Sequence, residues 1–221
     1  MFKIYHFKRL NSTNTKAKFF GINSVIIADE QIKGKGRFKR NWKSSKGGIY
    51  LSLVLPKTTK PQFYTFIAAL SAKKALNIKK IRIKWPNDLI YGKKKVCGIL
   101  TELKEKKAIV GIGINTNNEI PFSLKNKAIS LKYIKKKGIN NEKVIKVLLK
   151  NFESYLKSKQ SKIIRDWKRN SFLGSQVKVK TLNGAYKGIA YDIDKDCFLI
   201  LKDKKGNKIQ VREGDIIINS L

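Results

Sequence analysis

Histidine and cysteine are nearly absent from this sequence: one histidine, His6, and two cysteines, Cys97 and Cys197, far apart in the chain. They cannot make a zinc site of the usual ligand count. A Ser-His-Asp or Cys-His mechanism would have to use His6, which sits in a strand-like amino-terminal segment, so the composition argues against hydrolase triads and metalloenzymes. Long apolar runs are missing too. A stretch such as Ala108–Ile114 is far too short to span a bilayer, and Met1–Leu10 carries no charged-then-apolar leader, so no membrane partner and a cytoplasmic location are expected. Acidic residues are scarce, 15 against 50 Lys plus Arg, for a net charge of +35.

What is present is enough for a core. Of 221 residues, 42% are hydrophobic and 10% aromatic, which excludes a wholly disordered chain. A chain of this length buries roughly 70% of its unfolded surface without needing a metal or disulfide. The charge alone invites a nucleic-acid partner. Only seven of the cations are arginine, however: Arg9, Arg37, Arg40, Arg82, Arg165, Arg169 and Arg212. Arginine is the residue of bidentate phosphate and guanine recognition, whereas the lysines here are spread through almost every segment as solvated charges. A general attraction for anionic substrates and acidic partners is the plainer reading.

Apolar patterning divides the chain in two. Val25–Asp29 and Ile49–Leu55 read as strands, joined by a long polar, glycine-bearing connection from Glu30 to Gly48 of the kind that is usually functional or mobile. Gln62–Asn77 has helical spacing, Ile81–Trp85 reads as a strand, and Val96–Leu103 with Ala108–Ile114 reads as an antiparallel hairpin. Asn141–Ser158 and Ile163–Phe172 are predicted helices. Beyond Gly174 the period becomes alternating. Val177–Val179, Ala185–Ile193, Cys197–Leu201, Ile209–Val211 and Ile216–Ile218 are short strands separated by turns such as Asn183-Gly184, and they predict a small β-barrel. A boundary near residue 172 gives domains 1–171 and 172–221.

Several segments are chemically suggestive. In Gln31-Ile-Lys-Gly34-Lys35-Gly36-Arg37-Phe-Lys-Arg40-Asn-Trp42, two glycines allow close backbone approach to an anion while Lys35, Arg37 and Arg40 add charge. This is neither a Walker loop nor a dinucleotide fingerprint. Lys84-Trp85-Pro86-Asn87-Asp88 closes a strand with a carboxylate able to hold magnesium or orient an amine, or simply to cap a turn. Gly111-Ile-Gly113-Ile-Asn115 sets two glycines in an apolar strand, which weakens packing unless a ligand or backbone comes close. Asn11-Ser12-Thr13-Asn14-Thr15 is first of all a helix start.

In combination and order, Ser12-Thr13-Asn14, the Gln31–Trp42 loop, Lys84–Asp88, Lys95-x-x-Gly98 and Gly111–Asn115 resemble the biotin protein ligases over residues 8–115. The resemblance implies a mixed α/β (α+β) domain related to the class II aminoacyl-tRNA synthetase core, followed by an SH3-like barrel. It also implies a two-step reaction: biotin and ATP, with Mg2+, give biotinyl-adenylate, and a lysine of a biotin carboxyl carrier domain then takes the biotinyl group. On the family pattern Ser12, Thr13, Asn14, Gln31, Gly34, Lys35, Gly36, Arg37, Lys95 and Gly98 surround biotin, with Gly111 and Gly113 as a flat floor. Arg37, Arg40, Trp42, Asn87, Asp88, Lys95 and Asn115 serve ATP. Arg37, Lys95 and Asp88 are the implied catalytic residues, and no metal ligands are assigned. Lys35, Lys39 and Cys97 depart from the commonest family residues. Because Ser12 lies so near the start, the chain resembles the stand-alone enzyme with no DNA partner; a homodimer is expected, with the strand holding Gly111–Asn115 as a place for sheet extension. Two rivals remain: a ligase of the same fold acting on lipoate or another acyl acid, and a nucleic-acid-binding module.

Overall fold

Apolar or alternating runs form most of the strands in the computed structural model, which describes residues 2–181 and 184–218. The first unit contains β1 (Lys3–Leu10), α1 (Thr13–Ala17), β2 (Ser24–Gln31), β3 (Ile49–Pro56), α2 (Gln62–Leu76), β4 (Ile81–Lys84), β5 (Asp88–Tyr91), β6 (Lys94–Lys104), β7 (Lys107–Ile114), α3 (Leu131–Lys135), α4 (Asn141–Leu156) and α5 (Gln160–Asn170). The second contains β8 (Gln176–Thr181), β9 (Gly184–Ile193), β10 (Leu199–Lys202), β11 (Lys208–Val211) and β12 (Asp215–Ile218). Asn183, half of one expected turn, lies outside the described residues. Among them, no helix is long and apolar enough to cross a membrane.

Seven strands form one mixed sheet in the order β1-β2-β3-β7-β6-β5-β4, with only the β1–β2 pair parallel. β3 is apolar at nearly every position because both of its faces are covered. Ile49, Leu51, Leu53 and Leu55 join the main core under α2, α4 and α5, whereas Val54 belongs to a smaller cluster with Ala17, Ile26 and Ile109 beneath α1. The helix side is closed by Phe66 stacked on Trp167 at 4.5 Å, worth about 0.5–1.5 kcal/mol beyond area burial. α2 ends where Asn77 turns left-handed (φ 47°), and Asn140 caps α4 by accepting from the Lys143 N–H at 2.8 Å.

One expectation changes here, and another gains detail. The Glu30–Gly48 connection, long for a structureless loop, has a structure of its own. It folds back on itself as an irregular hairpin, with Gln31 opposite Ser44, Lys35 opposite Asn41, and a short 3-10 turn at Arg37–Lys39. The strand containing Gly111–Asn115 cannot extend the sheet to a second molecule, because β7 is hydrogen-bonded to β3 on one side and β6 on the other. Smaller differences follow from tight turn chemistry: Asp88 pairs with Lys84 across a three-residue turn and opens β5 rather than merely ending a strand.

The second unit is antiparallel throughout, in the order β11-β10-β9-β8-β12, around Val177, Val179, Ala190, Leu199, Leu201 and Val211. It is fastened to the first by the Trp85 indole N–H donating to Cys197 O (3.0 Å) and by the pairs Lys60–Asp196 and Lys168–Asp192, both 2.6 Å.

Candidate functional site

The register of the large sheet creates a trough. Tyr50, Gly113, Gly98, Asp88 and Lys84 are successive cross-strand partners from β3 to β4, so two side chains are missing from the middle of one row. The neighbouring row runs Ser52, Gly111, Leu100. Above these rows lies a cavity of about 760 Å³, into which the hairpin, α1, β12 and the segment after β7 all contribute.

One part of the cavity wall is a neutral hydrogen-bonding array. Ser12 caps α1, which aims Thr13 and Asn14 at the sheet. The Thr13 N–H donates to Gln31 Oε1 at 2.7 Å, and Gln31 Nε2 donates to Ser44 Oγ at 2.7 Å. Asn14 Nδ2 donates to Glu102 Oε2 at 2.7 Å, and its Oδ1 accepts from the fully buried Ser52 hydroxyl at 2.6 Å. Asn14 fits only because Gly111, the partner of Ser52, has no side chain; a Cβ there would collide with Asn14 Oδ1.

Another part is cationic. Lys95 Nζ stands 2.8 Å and Lys84 Nζ 3.7 Å from Asp88 Oδ2, while the buried Asp88 Oδ1 has no partner. Burial holds Lys84 below its ordinary pKa, with Asp88 working in the opposite direction. Arg37 Nη1 donates to Asn87 Oδ1 (3.3 Å) and Gly214 O (3.2 Å) and lies 3.7 Å from Asp215 Oδ1; Arg40 pairs with the same aspartate. Burial lowers the Arg37 pKa, yet guanidinium remains charged at neutral pH. Lys84 Nζ also reaches Ile216 O at 3.3 Å. The terminal unit, whose role was open from sequence, thus supplies one wall of the cavity through Asp215–Ile218.

The glycines are used differently from the flat ligand floor that the family pattern implies. A Cβ on Gly113 would lie 2.5 Å from the Trp42 indole nitrogen, and one on Gly98 would lie 2.7 Å from the ring. Trp42 therefore rests in the trough, with its buried N–H unpartnered and Lys95 Nζ 5.7 Å from the ring centre. Gly34 lies against Trp42 O and Ser44 Oγ, which makes it a packing glycine of the hairpin. Lys35 and Gly36 line the cavity from the outer part of that hairpin, and Asn115 lines it beyond Gly113. His6 pairs with Asp29 at 2.7 Å on the exposed edge of the sheet and is not among the lining residues. Both cysteines are buried and free. Among the described residues there is no cluster of three or more His, Cys, Asp or Glu able to hold a metal.

Sequence reasoning had not assigned Ser52, Glu102, Lys84, Asn118 or Asp215 to the site. Lys84 stood in the Lys84–Asp88 motif without a role of its own, and Ser52 left a trace as a polar residue breaking an apolar strand.

An array of neutral donors and acceptors beside several partly buried cations suits an enzyme that holds a small acid against a polyphosphate. Residues 6–117 match the biotin/lipoate A/B protein ligase family, and residues 172–218 match the biotin protein ligase C terminal domain. The bifunctional ligase/repressor BirA of Bacillus subtilis is 33% identical over 240 residues, covering 96% of this chain and 73% of that protein. The biotin--[acetyl-CoA-carboxylase] ligase of Mycobacterium tuberculosis is 26% identical, covering 87% of this chain and 78% of its own. The biotin protein ligase from Aquifex aeolicus, solved in complex with biotin and ATP, superposes with a TM-score of 0.90 at 29% identity and covers 98% of this chain and 99% of its own. The chain belongs to the biotin/lipoate A/B protein ligase family, among its biotin protein ligases.

Proposed function

We infer that this chain is an ATP-dependent ligase that converts biotin to biotinyl-5′-adenylate and transfers the biotinyl group to a lysine of a biotin carboxyl carrier domain. In the first step a biotin carboxylate oxygen attacks the α-phosphorus, the bond to the β-phosphate oxygen breaks, and pyrophosphate leaves. In the second the acceptor amine attacks the acyl carbon, the bond to AMP breaks, and the amine loses its proton. The observation that carries this reading is the meeting of Lys84, Lys95, Asp88 and Arg37 beside the Thr13–Gln31 array in one cavity.

The physical problem is to bring two anions together. Lys95 and Arg37 neutralise carboxylate and phosphate, and because they are held by Asp88, Asn87 and Gly214 O they need little reorganisation as charge moves in the transition state. Arg40 adds to that field from the hairpin. Ser12, Thr13, Asn14 and Gln31 suit the ureido head of biotin, a planar group with donors and an acceptor. Asn87 and Asn115 suit the nucleotide, and Trp42 with the hairpin shields the adenylate from water. Asp88 Oδ1, buried without a partner, fits one oxygen ligand of Mg2+, whose others would be phosphate oxygens and water. When bound, the ion would supply charge neutralisation on the phosphates.

The same proposal assigns residues 1–171 to catalysis and 172–221 to the wall-forming terminal domain, with a homodimer as the assembly and the cytoplasm as the location. Incubating the protein with ATP, magnesium, biotin and a carrier domain and weighing the carrier tests it: a biotinyl mass increment is expected. Transfer of lipoate without transfer of biotin would move the chain to the sister activity, and no transfer of either would refute the reading.

A further inference from the structure

Glu102, half-buried on β6, touches the neutral array without being one of the residues that line the cavity. A carboxylate can only accept, so it takes the amino end of the Asn14 amide. Asn14 Nδ2 donates to Glu102 Oε2 at 2.7 Å and also points toward Leu100 O at 3.4 Å. The carbonyl end of Asn14 is thereby turned to the fully buried Ser52 hydroxyl, 2.6 Å away. Ser52 has one proton and two oxygens in reach, Asn14 Oδ1 and, at 2.8 Å, Thr13 Oγ1. Of these, the amide oxygen has no proton of its own, so Ser52 gives its proton to Asn14. Thr13 then gives its hydroxyl proton to Ser52 Oγ or to Gln31 Oε1, 3.1 Å away.

The other end of the array draws protons the opposite way. The Thr13 N–H donates to Gln31 Oε1, Gln31 Nε2 donates to Ser44 Oγ, and Ser44 donates to Trp42 O, a carbonyl that can only accept. Protons therefore run outward from Thr13 in both directions, toward Glu102 and toward Trp42. Thr13 lines the cavity with both of its donors committed, so what its hydroxyl can offer a ligand is a lone pair. Reversing Asn14 would undo this. Ser52 would then give its proton to Thr13, and the Thr13 proton would be released in place of the lone pair. Glu102 is the group that holds Asn14 the right way round, because the bond to Leu100 O is long and weak. A ureido N–H needs an acceptor, so the direction of the chain matters to a ligand of that kind.

We propose that Glu102 is a positioning residue for the acid substrate: acting through Asn14 and Ser52, it keeps Thr13 an acceptor and so matches the array to a ureido N–H. The inference rests on the reading of the cavity as a biotin site. Its test is the Kd for biotin, by titration calorimetry, and the kinetics of pyrophosphate release, for wild type, Glu102→Gln, Glu102→Lys, Asn14→Asp and the double variant Glu102→Lys/Asn14→Asp. Glutamine can still turn an oxygen to Asn14, so Glu102→Gln should change the Kd by less than about threefold. Lysine can only donate and reverses Asn14, so Glu102→Lys should raise the Kd by about 5- to 20-fold, the worth of one misdirected hydrogen bond. That loss should leave the KM for ATP, and kcat at saturating biotin, unmoved. Asn14→Asp should weaken biotin binding on its own, where two carboxylates meet. In the Glu102→Lys background it should strengthen binding by about fivefold, because aspartate accepts from lysine with one oxygen and from Ser52 with the other. Equal losses in the glutamine and lysine variants, or an Asn14→Asp effect of the same sign in both backgrounds, would overturn the proposal. Should the lysine variant fail to fold, Glu102→Leu replaces it, and an unchanged Kd there refutes the role. A wild type that binds biotin as tightly as Glu102→Lys refutes only this inference; one that binds no biotin refutes the ligase reading beneath it.

Discussion

Adding one methyl group to the trough tests whether the glycine row exists to seat Trp42. In Gly113→Ala the new Cβ would stand 2.5 Å from the indole nitrogen and 2.7 Å from Cε2. Ordinary contacts begin near 3.4 Å, so the ring has to move by about 1 Å. Its backbone is held in place: the Trp42 main-chain N–H donates to Gly34 O at 2.8 Å, and Trp42 O accepts from Ser44 Oγ at 3.0 Å. Overpacking of this kind costs about 1–3 kcal/mol. For a protein of this size that is a fall in Tm of about 2–4 °C per kcal/mol. The informative form is a double-mutant cycle with Trp42→Leu, read by thermal or denaturant unfolding. Alanine should be costly beside tryptophan and nearly neutral beside the smaller leucine, giving a coupling of about 1–2 kcal/mol. An equal penalty in both backgrounds would mean that the indole does not fill the space above Gly113, and the account of the trough would be wrong.

Further outcomes follow from the same geometry. Lys95→Ala should slow biotinyl-adenylate formation by about 100- to 1000-fold with the circular dichroism spectrum unchanged; full activity would remove Lys95 from its role. Ser52→Ala leaves Asn14 Oδ1 without its buried donor and removes the hydroxyl that lies 2.8 Å from Thr13 Oγ1. It should cost about 1–3 kcal/mol and raise the Kd for biotin while leaving the KM for ATP unchanged, as titration calorimetry and pyrophosphate release would report. Burial alone would raise the Asp166 pKa, but hydrogen bonds from Lys162 (2.5 Å) and Tyr155 (3.1 Å) overcome it and hold the carboxyl below its ordinary 3.8. Because the folded value is the lower one, this stabilisation is complete above pH 3.8 and is lost as pH falls through the folded pKa. Asp166→Asn should therefore be less stable than wild type by about 1–2 kcal/mol at pH 7, with the gap closing in strongly acid solution; a gap independent of pH would count against the ion pair.

Where the sequence was legible, short-range chemistry was doing the speaking. The α2 and α4 periodicities, the β6–β7 hairpin and the change of rhythm near residue 172 each depend on neighbours within a few positions, and each has its counterpart in the fold. The site was legible as motifs because Thr13, Gln31, Arg37, Asp88 and Lys95 stand in short recognisable segments. Other features required the register. Ser52 and Gly111 become meaningful only as cross-strand partners, with Asn14 occupying the space the glycine leaves. That Gly98 and Gly113 seat Trp42 depends on a hairpin folding across two other strands. Asn118 stands out only when the hydrogen bonds around it are counted. Asp215 meets Arg37 and Arg40 from the other end of the chain, where no local pattern points to them.

That last contact has a bearing on how the protein comes of age. Arg37 and the carbonyl of Gly214 are 177 positions apart, so the pair closes one of the longest loops the chain can make. A polypeptide still emerging from the ribosome lacks Gly214 and Asp215, so the clasp on its guanidinium groups closes only after the last strand has been made.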